Sequence, residues 1–142
     1  MRATVLGDAV LTILRVPDVA AWRFDGAGDN LRRAIFVDTE TTGLDPDDDE
    51  VIELAMVPFD YERDSGRIIA VHVDAAISGL RQPSTPITPE SSAIHGISNE
   101  DVAGKSIDGT RVAALLDEAQ LVIAHNAAFD RPMVEKLLPA FE

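Results

Sequence analysis

The 142-residue chain has no cysteine. Disulfides and a thiolate zinc site are therefore excluded, and nothing argues for secretion. Long apolar runs are missing too. The mildly apolar N-terminus is broken by Asp8 and Arg15, which rules out a signal peptide or a membrane span and makes a cytoplasmic protein the expectation. Positive charge is scarce: 12 Lys and Arg stand against 25 Asp and Glu, for a net charge of −13. A broad, non-specific grip on nucleic acid normally draws on a basic surface, so that class of binding is not the expectation. A small site in which bound cations supply the positive charge locally remains open. There is no internal repeat and no low-complexity tract longer than the acidic cluster Asp45 to Glu50. The length allows one domain with one core.

Residues 1–32 read as an extension of uncertain structure, and residues 33–142 as the domain proper. In the extension, Gly7-Asp8 between Val5-Leu6 and Ala9-Val10 fits a small hairpin, and Ala21–Phe24 a short strand. Ala34–Asp38 is a short apolar run of buried-strand type. Val51–Tyr61 and Arg67–Val73 read as two more strands, joined by the turn-like Arg63-Asp64-Ser65-Gly66. Short connections make these three strands antiparallel neighbours. Helical signals follow. Thr88-Pro89-Glu90 offers a capping hydroxyl and an early proline, and Ser98–Asp101 resembles a capping box. Asp108 caps a longer helix with Val112, Leu115, Leu116 and Ala119 on one face. Leu121–Ala124 is a fourth strand. A last helix carries Met133, Val134, Leu137 and Leu138. Pro132 suits only its first turn, which predicts a start near Phe129. Strands, helix, strand and helix in this order make a mixed α/β sheet.

Two segments carry chemistry. In Ile35-Phe36-Val37-Asp38-Thr39-Glu40-Thr41-Thr42-Gly43-Leu44, a buried-type strand runs straight into two carboxylates. Positions 38 and 40 share a strand face, with Cα atoms roughly 6–7 Å apart. Two charges at that distance repel by about 2.5 kcal/mol at an effective dielectric near 20. A divalent cation between them turns repulsion into attraction, and hard oxygen ligands favour Mg²⁺ or Mn²⁺. A bare Asp-x-Glu is more often a pair of solvated acids. Here the preceding strand and the Thr-Thr-Gly turn put the pair at a strand's C-terminal end, where α/β folds place ligands. The second segment, Leu121–Ala124 followed by His125-Asn126-Ala127-Ala128-Phe129-Asp130, again runs from strand to turn to helix. Taken alone, Asp130 reads as a helix cap and Asn126 as a turn residue.

Taken together, Asp-Thr-Glu-Thr-Thr-Gly-Leu, His95-Gly96-Ile97 and His-Asn-Ala-Ala-Phe-Asp resemble the DnaQ-like (DEDD) 3′→5′ exonucleases. Within that group they are most similar to the epsilon proofreading subunits of bacterial DNA polymerase III and their free-standing relatives. The resemblance covers about residues 33–140. It implies a ribonuclease-H-like fold, three antiparallel strands then a parallel one, with flanking helices. It also implies two divalent cations, Mg²⁺ or Mn²⁺, held by Asp38, Glu40 and Asp130. Thr41, Gly43, Leu44, His95, Asn126 and Phe129 match positions near the terminal nucleotide. The implied partners are single-stranded DNA or RNA 3′ ends and a DNA polymerase, with 5′-mononucleotides as products.

The family carries a third motif, a histidine base followed by a fourth aspartate in a His-x₄-Asp pattern. The chain ends at Glu142, and none of His72, His95 and His125 is followed by an aspartate at that spacing. The expectation is a domain cut at its C-terminus, weak or inactive alone, and self-associating through exposed apolar surface. The rival expectation is a non-catalytic nucleic-acid-binding or protein-interaction module on the same fold. Other motifs fall away. A calcium loop starting at Asp45 needs glycine sixth and glutamate twelfth, where the chain has Glu50 and Met56. The acidic run therefore reads as a solvated loop. Gly26-Ala27-Gly28 lacks the third glycine of a dinucleotide fingerprint. Arg32-Arg33 reads as strand-flanking charge.

Overall fold

The computed structural model describes residues 2–6, 9–13 and 28–138. Strands β1 (Arg2–Leu6) and β2 (Ala9–Ile13) pair antiparallel with Leu6 opposite Ala9, as the expected hairpin requires. The strand expected at Ala21–Phe24 lies outside the described residues.

The second sheet holds the site. Strand β3 (Leu31–Thr41) extends the apolar run at both ends and pairs antiparallel with β4 (Val51–Glu62) along its whole length. Strand β5 (Ile68–Val71) continues the antiparallel order on the far side of β4. It is shorter than the expected Arg67–Val73, and His72 lies just beyond it. Strand β6 (Ile77–Leu80) was not anticipated; it pairs antiparallel with the first half of β4. Helices α1 (Pro89–His95), α2 (Asn99–Val102) and α3 (Gly109–Glu118) follow. Strand β7 (Leu121–Ala124) then pairs parallel with β3, and α4 (Ala127–Glu135) leaves its end. The order β5-β4-β3-β7 is the expected mixed sheet.

Alternation along β3 explains the layers. Ile35 and Val37 are buried on one face, in a cluster with Leu54 and Met56 of β4, Val112 of α3, and Met133 and Val134 of α4. The other face carries Ala34, Phe36, Asp38 and Glu40. There Phe36 stacks on Phe59 with ring centroids 4.6 Å apart, and Phe36 stays 45 % exposed. A second cluster, Ile52, Ile87, Ile97 and Val102, sits beneath α1 and α2.

The caps formed as their residue types dictate. The Thr88 side chain accepts from Ser91 N–H, Ser98 and Asp101 complete a reciprocal capping box, and Asp108 accepts from Thr110 and Arg111. Helix α4 departs from expectation. It starts at Ala127, and Pro132 lies inside it. Pro132 removes only one amide donor, and the packing of Met133 and Val134 in the main cluster offsets that loss.

Arg33 does more than flank a strand. Its guanidinium meets Asp60 at 2.9 Å and Glu118 at 2.7 Å, and His72 Nε2 lies 2.7 Å from the other Asp60 oxygen. Burial works against the Asp60 anion, but hydrogen bonds from Arg33 and His72 outweigh it and hold the carboxyl below its ordinary range. The Arg33 backbone is bound twice to Gln120. Its N–H donates to Gln120 Oε1 at 2.8 Å, and its carbonyl accepts from Gln120 N–H at 2.9 Å.

Candidate active site

The parallel pairing of β3 with β7 aligns Val37 with Ala124. The Asp-Thr-Glu segment and the His-Asn turn therefore leave neighbouring strands at the same end of the sheet. Asp38 is exposed and Glu40 half-buried. Glu53 of β4 stands opposite Glu40 in the register. Burial raises the Glu40 carboxyl above its ordinary value; His95 pulls it down, while Asp38 and Glu53 push it further up. A cation beside Glu40 would oppose both its burial and the neighbouring negative charge. Glu53 was missed in the sequence, although an acid within the apolar run Val51–Met56 was a legible signal.

Asp130 sits differently. It is 6 % exposed on α4, and its Oδ1 accepts from the Thr39 hydroxyl at 2.8 Å. Thr39 lies on the strand face opposite Asp38 and Glu40. Asp130 is not the helix cap. That position belongs to Asn126, whose carbonyl accepts from Phe129 and Asp130 N–H and whose side chain makes no capping bond. Among the described residues, no three His, Cys, Asp or Glu side chains come together to hold a metal. Asp38 and Glu40 have the donor chemistry for one divalent cation, while Asp130 is engaged with Thr39.

The remaining expected residues differ in burial and in contacts. Thr41 is buried, and its hydroxyl donates to the Gly43 carbonyl at 2.5 Å. Leu44 is 85 % exposed beside it. His95 Nδ1 accepts from Ile97 N–H at 3.1 Å, and its Nε2 lies 3.3 Å from Ser91 Oγ. The buried Ser91 hydroxyl in turn reaches the carbonyls of Thr42 at 2.9 Å and Thr41 at 3.2 Å. Phe129 packs against the main core, and Asn126 is exposed. A cavity of about 270 Å³ opens between β7 and α4, walled by Val122, Ala124, Leu116 and Val134, with Asp130 in its lining.

The acidic run is only partly solvated. Asp49 turns inward, accepting from the Thr42 hydroxyl at 2.8 Å and from Asp45 N–H at 2.9 Å. Glu50 pairs with Arg81 at 2.7 Å and accepts from Ser84 N–H at 2.7 Å. Burial opposes its ionisation, yet the Ser84 and Arg81 bonds prevail and lower its pKa to about 2.

A mixed sheet in this strand order, helices packed on one face and acids at the end of its central strand make this a ribonuclease-H-like α/β protein. The exonuclease family of RNase T type matches residues 35–138. The chain belongs to that family, the DnaQ-like 3′→5′ exonucleases. It is 38 % identical over 104 residues to the uncharacterized exonuclease CP81 of Escherichia phage 186, covering 70 % of this chain and 46 % of that protein. It is 36 % identical over 105 residues to the DNA polymerase III subunit epsilon-like protein of Rhodobacter capsulatus, covering 72 % of this chain and 14 % of that one. The chain thus spans less than half of each of these relatives. Among solved structures, exonuclease X in complex with 5′ overhanging duplex DNA superimposes with a TM-score of 0.51 at 32 % identity, over 76 % of this chain and 55 % of the other. Exonuclease I of E. coli with a dT13 oligonucleotide gives 0.59 at 18 % identity, over 75 % and 23 %, a likeness of fold alone. Among the described residues, no helix is long and apolar enough to cross a membrane.

Proposed function

We propose that the domain, residues 33–142, is a metal-dependent 3′→5′ exonuclease. It hydrolyses the terminal phosphodiester bond of a single-stranded DNA or RNA end and releases 5′-mononucleotides. The observation that carries this reading is the Asp38–Glu40 pair on one face at the C-terminal end of β3, beside the strand that leads to Asp130.

Asp38 and Glu40 are the residues that would hold a divalent cation, Mg²⁺ or Mn²⁺. When bound, such an ion supplies a Lewis acid for the phosphate oxygens and lowers the pKa of a coordinated water. Asp130, now bonded to Thr39, would be the ligand for a second ion. Leu44 and His95 have separate work. Leu44 offers an exposed apolar surface for the terminal base, and His95, through Nε2, orients the Thr41–Thr42 turn by way of Ser91. With a net charge of −13, bound cations are the source of positive charge for phosphate contact in this reading. A DNA polymerase is the partner to test, since relatives of 35–36 % identity carry the name DNA polymerase III.

The test is digestion of a 3′-labelled single-stranded DNA oligonucleotide with Mn²⁺, beside an Asp38→Ala control. Mononucleotide release that vanishes in the control supports the exonuclease. The second reading, a binding module that holds a 3′ end without cutting, is favoured by the separation of Asp130 from the carboxylate pair. Oligonucleotide binding without release selects it.

A further inference from the structure

The Asp49 side chain closely approaches Gly43. The φ of Gly43 lies outside the left-handed region, since the positive-φ glycines are Gly66, Gly96 and Gly104. A Cβ there would lie 2.6 Å from Asp49 Oδ1 and overlap Oδ2 more severely. The Asp49 carboxylate fills that space. One of its oxygens accepts from the Thr42 hydroxyl and the other from Asp45 N–H. The turn is closed from its other side as well: Thr42 N–H donates to the Glu50 carbonyl at 2.9 Å, and Glu50 N–H to the Thr42 hydroxyl at 3.0 Å. The Asp49 carbonyl accepts from Lys136 Nζ at 2.8 Å, just past the end of α4. Residues 42–45 therefore fold around one carboxylate, and that fold holds Leu44 out at 85 % exposure.

We infer that Asp49 is a positioning residue of the exonuclease site: its carboxylate is the template on which the Thr42-Gly43-Leu44 turn is built, and it fixes Leu44 for contact with the terminal nucleotide. This rests on the exonuclease reading above. Electrostatics gives it a sharp sign. Removing an acid near a phosphate-binding site should, by charge alone, tighten binding of an anionic substrate. Loss of the template weakens it instead, because the contacting side chain is no longer held in place.

The experiment measures kcat and KM on a labelled single-stranded oligonucleotide with Mn²⁺, together with Tm. The variants are Asp49→Ala, Asp49→Asn, Gly43→Ala, the double variant and the control Asp48→Ala. For Asp49→Ala we expect KM to rise about tenfold or more with kcat within about threefold, the pattern of lost ground-state binding. Asp49→Asn, which keeps one acceptor oxygen, should fall between it and wild type, and Asp48→Ala should leave KM unchanged or lower it. Gly43→Ala should raise KM in the wild-type background and add nothing to Asp49→Ala, since the clash needs both partners. A lowered Tm with wild-type KM for Asp49→Ala overturns the proposal, as do additive effects of the two substitutions. Wild-type protein that neither binds nor cuts the oligonucleotide overturns the exonuclease reading and this proposal with it, whereas active wild type with an indifferent Asp49→Ala overturns this proposal alone.

Discussion

Replacing Asp38 with asparagine should make the metal-free protein more stable and the metal-loaded protein less so. The Glu40 carboxyl is held above its ordinary value by burial, with the Asp38 and Glu53 charges adding to the shift. The folded chain therefore binds that proton more tightly than the unfolded chain, and ionising Glu40 at neutral pH costs stability. Two charges roughly 6.5 Å apart repel by about 2.5 kcal/mol at an effective dielectric of 20 and by about 0.6 in bulk water. Asp38 is exposed and Glu40 half-buried, so removing the Asp38 charge should return about 1 kcal/mol. In a domain of this size that is a rise of about 4 °C in Tm. Metal reverses the ranking. A cation at about 100 times its Kd stabilises the wild type by about 2.7 kcal/mol, and the asparagine variant, having lost a hard anionic donor, should gain little. Thermal melts at pH 7.5 with EDTA and with millimolar Mn²⁺ measure both effects. An asparagine variant that melts below wild type in EDTA, or keeps the full Mn²⁺ shift, refutes the charge argument.

Acid provides a second check. Glu50 has its pKa lowered from 4.5 to about 2, so its stabilising contribution is present above pH 4.5 and lost as pH falls through about 2; Glu50→Gln should flatten the urea-denaturation profile across that window. Thr39→Val keeps the strand but leaves the buried Asp130 oxygen without its donor, at a cost of about 1–3 kcal/mol in urea unfolding. Met133→Ala empties a fully buried position of the main cluster and should cost about 2–5 kcal/mol by the same measurement.

What could be read in advance followed from local physics. The apolar runs at Ala34–Asp38 and Val51–Tyr61 are long enough to specify strands without help, and Thr88, Ser98 and Asp108 announce helices through hydroxyl and carboxylate caps. Strand β6 was invisible because Ile77-Ser78-Gly79-Leu80 has no strand pattern of its own; pairing with β4 makes it a strand. The start of α4 was misread because proline's cost was judged without the burial of Met133 and Val134. Within the site, the adjacency of Asp38 and Glu40 was legible from a period of two. The bond between Thr39 and Asp130 joins positions 91 apart, and no local rule reports it. The inward turn of Asp49 was hidden for another reason: one acid in a run of acids looks like its neighbours until something is seen to lie beneath Gly43.

The pair of hydrogen bonds between Arg33 and Gln120 has a consequence for assembly of the site. A slip of one residue in the β3–β7 pairing would turn Val122 and Ala124 to the opposite side of the sheet. Gln120 pegs β7 at one end of the β3 groove, and Thr39 receives Asp130 at the other, roughly 20 Å along the strand. The two pegs act as a ruler. Replacing the Gln120 side chain, far from Asp38 and Glu40, would loosen one of the two pegs that align the α4 half of the site with the β3 half, as a slackened fence shifts the cut of a saw.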